Sequence, residues 1–138
     1  MRIEYGTVLV ALFAMSCACF GEEVNSSDIR KEHPGDTALS QDKDGNYQYK
    51  SFPELSMLYV FTGDSPGKSK CEARCVSAWP PLLVSAAEKG TAVGDWTVIV
   101  RDNGTRQWAY KGQPVYTRYH NMPLDASGEK AGFRLLTP

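Results

Sequence analysis

"WTVIVRDNGTRQWAYKGQPVYTRY", Trp96 to Tyr119, decides the fold. Three short runs rich in β-branched and aromatic residues, Trp96–Val100, Thr105–Tyr110 and Val115–Tyr119, are parted by two compact turn signals. Such side chains suit a pleated, half-buried surface, and the runs are too short for amphipathic helices. Asn103-Gly104 predicts a tight hairpin, because both residues tolerate the positive φ that the turn needs. Lys111-Gly112-Gln113-Pro114 marks a second turn. Three consecutive strands are therefore expected as an antiparallel meander.

The same pattern extends outward. "SMLYVF" (Ser56 to Phe61) reads as a further strand closed by Thr62-Gly63-Asp64, and "GFRLLTP" as a closing strand. Only "CEARCVSAW", Cys71 to Trp79, invites a short helix, which Pro80-Pro81 would stop. "SAAEKG" adds a possible turn of helix ended by Gly90. A slide of 57 residues places Leu58-Tyr59 on Val115-Tyr116, Asp64 on Asn121 and Pro66 on Pro123. A slide of 54 places Trp79 on Phe133 and Leu82 on Leu136. The expected fold is mostly β: a small antiparallel β-meander domain built from two degenerate repeats over residues 47–138, with a short helical turn near the cysteine pair.

The chain before this domain divides in two. Arg2 precedes the apolar run "TVLVALFAM", followed by the small residues of "SCACFG". A charged start, a short apolar core and small residues describe a secretory signal peptide over residues 1–21. The run is too short to span a bilayer, which needs about 20 residues. "AMSC" ending at Cys17 and "SCAC" ending at Cys19 both resemble a lipobox, in which the cysteine is lipidated, Cys17 slightly ahead. Cleavage after Gly21 is the alternative. Residues 22–46, "EEVNSSDIRKEHPGDTALSQDKDGN", are polar and alternate in charge, and read as a flexible tether. His33, beside Pro34-Gly35, is expected to be a solvated loop histidine. Membrane attachment is thus expected through an N-terminal lipid, and the compartment is the cell envelope, facing periplasm or exterior.

Bulk properties exclude some partners. The 138 residues carry a net charge of −1 with acids and bases interspersed, so nucleic acid has no electrostatic footing.

Cys71 and Cys75 admit three readings. In an exported protein a cysteine pair is usually a disulfide. Residues four apart on an ideal helix hold Cβ atoms about 5–6 Å apart, whereas a disulfide wants about 3.5–4.5 Å, so the bridge demands a distorted turn. A copper site could instead draw on Cys71, Cys75, His120 and Met122, all soft or borderline ligands. A redox-active pair is disfavoured by spacing one residue longer than C-x-x-C and by Glu72 beside it.

Asp64, in "FTGDSPGKS", reads as a turn acid bonding the backbone ahead of Pro66-Gly67. "DASGE" (Asp125 to Glu129) lacks the pattern of a calcium loop. No G-x-S-x-G elbow and no glycine-rich phosphate loop occurs, and His120 has no assigned partner. A cavity where Asp64, Glu72 and His120 converge would favour an enzyme. Trp79, Trp96 and Trp108 read as core residues; exposed together, they would mark a binding face.

Several of these segments resemble one family. Tyr59-x-Phe61-x-x-Asp64 fits the Y-x-[FWY]-x-x-D motif of the bacterial secreted-repeat predicted lipoproteins. "SPGKSKCEARCVSAWPPLL", with Trp79, resembles that family's Pro-Gly turn, cysteine pair and Trp-Pro-Pro-Leu. "VIVRDNGTRQWAYKGQPVY", with Trp108, Tyr110 and Tyr116, resembles its R-x-D/N-G-x-x-Q-W-x-Y-x-G-x-P-[LV]-Y block. "EKAGFRLLTP" is similar to its closing segment, with Phe133 where tryptophan is usual. The likeness covers residues 47–138. It implies export, lipidation and a repeat fold, and a loose family-level link to growth on hydrophobic carbon sources such as alkanes. The family carries no established activity. One departure stands out: the second copy, "VYTRYHNM", has Arg118 where the motif wants an aromatic and Asn121 where it wants Asp. The expected role is a non-enzymatic binding or interaction module without a cofactor, its partner an envelope protein or small ligand. The alternative is a copper- or redox-active lipoprotein. An accessory role in alkane utilisation ranks below both.

Overall fold

A computed structural model describes residues 32–119 and 131–138. The signal peptide, the lipidation candidates Cys17 and Cys19, His120, Met122 and the Asp125–Glu129 turn lie outside the described residues.

Among the described residues, seven strands and one short helix form the domain. β1 (Thr37–Gln41) and β2 (Tyr47–Ser51) make a two-stranded antiparallel sheet. β3 (Tyr59–Phe61), β4 (Trp96–Val100), β5 (Arg106–Tyr110), β6 (Gln113–Tyr116) and β7 (Phe133–Leu135) make a second sheet in the order β4-β5-β6-β3-β7. The meander of β4, β5 and β6 is present with every pairing antiparallel. At its first turn Gly104 takes φ +84° and its N–H donates to Arg101 O at 2.8 Å, while Asn103 Oδ1 accepts from Thr105 N. The second turn is tighter than "KGQP" suggested. Lys111 and Gly112 carry it at φ 48° and 78°, and Gln113 and Pro114 already belong to β6.

Helix α1 (Arg74–Ala78) is shorter than the Cys71–Trp79 window. Ala73, at φ 50° and ψ −116°, breaks the turn between the cysteines and lets α1 begin only after it. Residues 85–90 form no helix. Glu88 N donates to Ser85 O in a single turn.

The tether reading needs correction over residues 32–46. Thr37–Gln41 pairs with Tyr47–Ser51 from Thr37↔Ser51 to Gln41↔Tyr47, and Pro34, Asp36 and Thr37 are buried. This hairpin turns as the other one does. Gly45 (φ +85°) donates to Asp42 O, and Asp42 N to Asn46 O. His33 is half-buried rather than solvated: its Nδ1 lies 3.0 Å from Thr37 Oγ1 and its ring meets Tyr49 edge-on.

Strand periodicity sorts the core into two faces. Leu58, Val60 and Val115 point into a cluster with Tyr49, Leu82, Trp96, Trp108, Tyr110 and Leu136. Tyr59, Phe61 and Tyr116 point the other way, onto Cys71, Trp79 and Phe133.

The two repeats are related by an approximate twofold axis between β3 and β6, where Tyr59 pairs with Tyr116 and Val60 with Val115. Its signature is a set of matched bonds. Leu82 N donates to Val115 O at 2.9 Å, and Leu136 N to Leu58 O at 2.8 Å. Tyr119 N donates to Ala78 O, and Thr62 N to Gly132 O. Pro81 bridges Tyr116 as Leu135 pairs with Tyr59. These pairs follow the 57- and 54-residue slides, so each repeat contributes a hairpin, a central strand and an aromatic-to-Leu segment.

Candidate functional site

The motif residues do not form one site. Tyr59, Phe61, Asp64, Trp79 and Tyr116 gather on one face of the sheet, whereas Trp108 and Tyr110 lie on the other. On the first face Trp79 stacks on Phe133 with centroids 4.0 Å apart and planes at 6°, and Phe61 stacks on Phe133 from 4.7 Å. Tyr59 meets Trp79 edge-on, and Tyr116 meets Phe133 edge-on. The Arg118 guanidinium lies over the Trp79 ring, 5.6 Å from its centroid. Trp79, Trp96 and Trp108 are all buried, so the tryptophans build core and present no binding face.

Behind these rings runs a buried polar chain. Tyr116 OH donates to Asp64 Oδ2 at 2.6 Å and lies 2.7 Å from Ser69 Oγ. Ser69 Oγ accepts from Arg101 Nη1 at 2.8 Å, which also donates to Gln107 Oε1 at 2.8 Å. Arg101 Nη2 donates to Cys71 O, and Gln107 Nε2 to Val115 O. Asp64 Oδ1 accepts from Lys70 N at 2.7 Å, so this acid bonds the backbone six residues on, past Pro66-Gly67, and not ahead of that pair, where Pro66 has no N–H to donate. Burial pushes the Tyr116 phenol up to about 12, with its bond to Asp64 acting in the same direction. Burial also raises the Asp64 carboxyl, against the lowering effect of its bonds from Lys70 N and Tyr116. Both shifts follow from taking a charged form out of water. Arg101, Ser69 and Gln107, none of them singled out by sequence reasoning, are the centre of this chain; Arg101 and Gln107 lay inside the block that resembles the family.

Cys71 and Cys75 form a disulfide with Cα atoms 5.2 Å apart. Cys71 is wholly buried against Trp79. Both sulfurs are therefore bonded to each other, and the distorted turn they require is the one at Ala73. Among the described residues no group of three His, Cys, Asp or Glu side chains is placed to hold a metal. Glu72 lines a cleft of about 400 Å³ with Val76, Arg101, Asp102 and Asn103, and Asp64 is not part of its wall.

A further concavity is a groove of about 430 Å³ walled by Phe52, Pro53, Pro80, Pro81, Leu83 and Tyr119. Three of these are unusually open for their size: Phe52 is 55% exposed, Leu83 45% and Tyr119 54%. At its base Asp36 Oδ2 accepts from Trp108 Nε1 at 2.8 Å and from Ser85 N at 2.9 Å, tying the first hairpin to the second repeat. Asp36 lay within the supposed tether; its Pro-Gly-Asp context gave no sign of burial.

No protein-family description, curated protein or solved structure matches the chain.

Proposed function

We propose that the chain is an exported, lipid-anchored protein of the bacterial cell envelope that acts as a non-enzymatic binding module. The observation that carries the binding reading is the groove of Phe52, Pro53, Leu83 and Tyr119, which leaves large apolar side chains open to solvent. The polar groups that could do acid–base work support it from the other side. Asp64, Ser69, Tyr116 and Arg101 are committed to bonds within the domain. The signal-like start, the lipobox-like cysteines and the secreted-repeat resemblance support export and anchoring.

Two measurements test this reading together. The wild-type protein is expected in the membrane fraction carrying a lipid label, and replacing Cys17 and Cys19 by Ser is expected to release it. A photo-crosslinker placed at Leu83 or Tyr119 in intact envelopes is expected to give a discrete adduct with one envelope protein, and the same group at Lys43, on the remote hairpin, none. A wild-type protein free of lipid, or equal crosslinking from both faces, would contradict the reading.

A further inference from the structure

A second concavity is built from different chemistry. Between the two hairpins, Tyr47, Tyr49 and Tyr110 line a cavity of about 240 Å³ with Leu39 and Pro138, and Glu32 and Asp95 complete its wall. The Tyr49 and Tyr110 rings are fixed by the core, 5.4 Å apart and tilted by 58°, each packed on Trp96. Tyr47 is 44% exposed and supplies the open side.

The acids are held there by the backbone. Gly94 takes φ +54°, and a Cβ at that position would come within 3.0 Å of Glu32 O. Only glycine lets residue 32 lie so close, which brings Glu32 beside the turn carrying Asp95. Neither carboxylate has an ion pair or side-chain hydrogen bond among the described residues. Lys111 Nζ, 5.0 Å over the Tyr110 ring centroid, is not part of this wall.

We propose that this cavity binds an organic cation of the quaternary ammonium class. Such a head group has no N–H to satisfy, spreads its charge over methyl surfaces and is held by the negative faces of aromatic rings. Tyr47 supplies an open ring with Tyr49 and Tyr110 lining the wall behind it, and two carboxylates with no basic partner among the described residues supply the field that concentrates a cation there. A metal ion is less suited, because the cavity offers rings in place of a dense oxygen shell. An anion would meet both carboxylates. The site goes beyond the envelope-binding reading, since it shares no wall residue with the Phe52–Tyr119 groove.

The test titrates choline and tetramethylammonium into the purified chain at low salt, with calorimetric readout, beside 3,3-dimethylbutanol, the neutral isostere of choline. Choline is expected to bind at least about tenfold more tightly than the neutral isostere. Tyr47→Leu, which keeps apolar bulk but removes a ring from an exposed position, is expected to weaken the cations by about tenfold. Glu32→Gln with Asp95→Asn is expected to weaken them and flatten the dependence on salt. Leu83→Ser, in the other groove, is expected to leave them unchanged, which separates this site from the binding face proposed above. No heat with either cation at millimolar concentration would overturn the proposal. So would equal affinity for the neutral isostere, or Tyr47→Leu binding as the wild type does.

Discussion

Asp36 Oδ2 accepts two hydrogen bonds, a buried one from Trp108 Nε1 and a part-buried one from Ser85 N, and the residue is 7% exposed. Removing the carboxylate leaves the buried Trp108 Nε1–H unpaired and returns the more open Ser85 N–H to solvent, so Asp36→Ala is expected to cost about 2 kcal/mol in urea denaturation, and Asp36→Asn less. Tyr116 gives a second prediction, in pH. Its folded phenol is raised from 10.0 to about 12, so between these values the unfolded chain loses a proton that the folded chain retains. Stability conferred by the neutral phenol is intact below pH 10 and falls as pH rises toward about 12, by up to about 2 kcal/mol. Tyr116→Phe is expected to flatten that part of the alkaline limb in a pH series of melts. Asp42, by contrast, is a solvated turn acid, held below its usual range chiefly by the backbone N–H of Asn46.

At the scale of elements, the disulfide turn combines a gain and a cost. Closing so short a loop stabilises by about 2 kcal/mol in the chain-entropy model, so Cys71→Ser with Cys75→Ser is expected to lose about that much. Ala73 sits at φ 50° and ψ −116°, where a Cβ is strained. Ala73→Gly is therefore expected to raise stability by about 1 kcal/mol with the disulfide intact, read as a higher denaturation midpoint at unchanged m. This disulfide and the β4–β6 meander were legible in the sequence. Compartment and spacing pointed to the bridge, and β-branched runs parted by Asn-Gly and Lys-Gly leave few alternatives. The β1–β2 hairpin was not read, because Thr37–Gln41 and Tyr47–Ser51 carry few core residues beyond Leu39 and Tyr49 and are flanked by charge. Asp44-Gly45, a hairpin signal of the same kind as Asn103-Gly104, was present and outweighed by that polarity. The buried chain through Ser69, Arg101 and Gln107 was illegible for another reason. Its members are distant in sequence, and polar residues at strand ends look solvated until the opposite repeat covers them.

For the whole molecule, the two repeats meet as matched halves, and their union buries Trp79 and Tyr116 and half-buries Tyr59, Phe61 and Asp64. Asp64 belongs to the first repeat and Tyr116 to the second, so the 2.6 Å bond between them crosses the junction. Asp64 and Tyr116 lock the halves together, and the recognition we propose lies at surfaces elsewhere. A double-mutant cycle in urea on Asp64→Ala and Tyr116→Phe tests this most directly. Each single change is expected to cost about 1–3 kcal/mol, and the double change little more than the larger of the two, because both remove the same bond. Single variants as stable as the wild type, or losses that simply add, would contradict it.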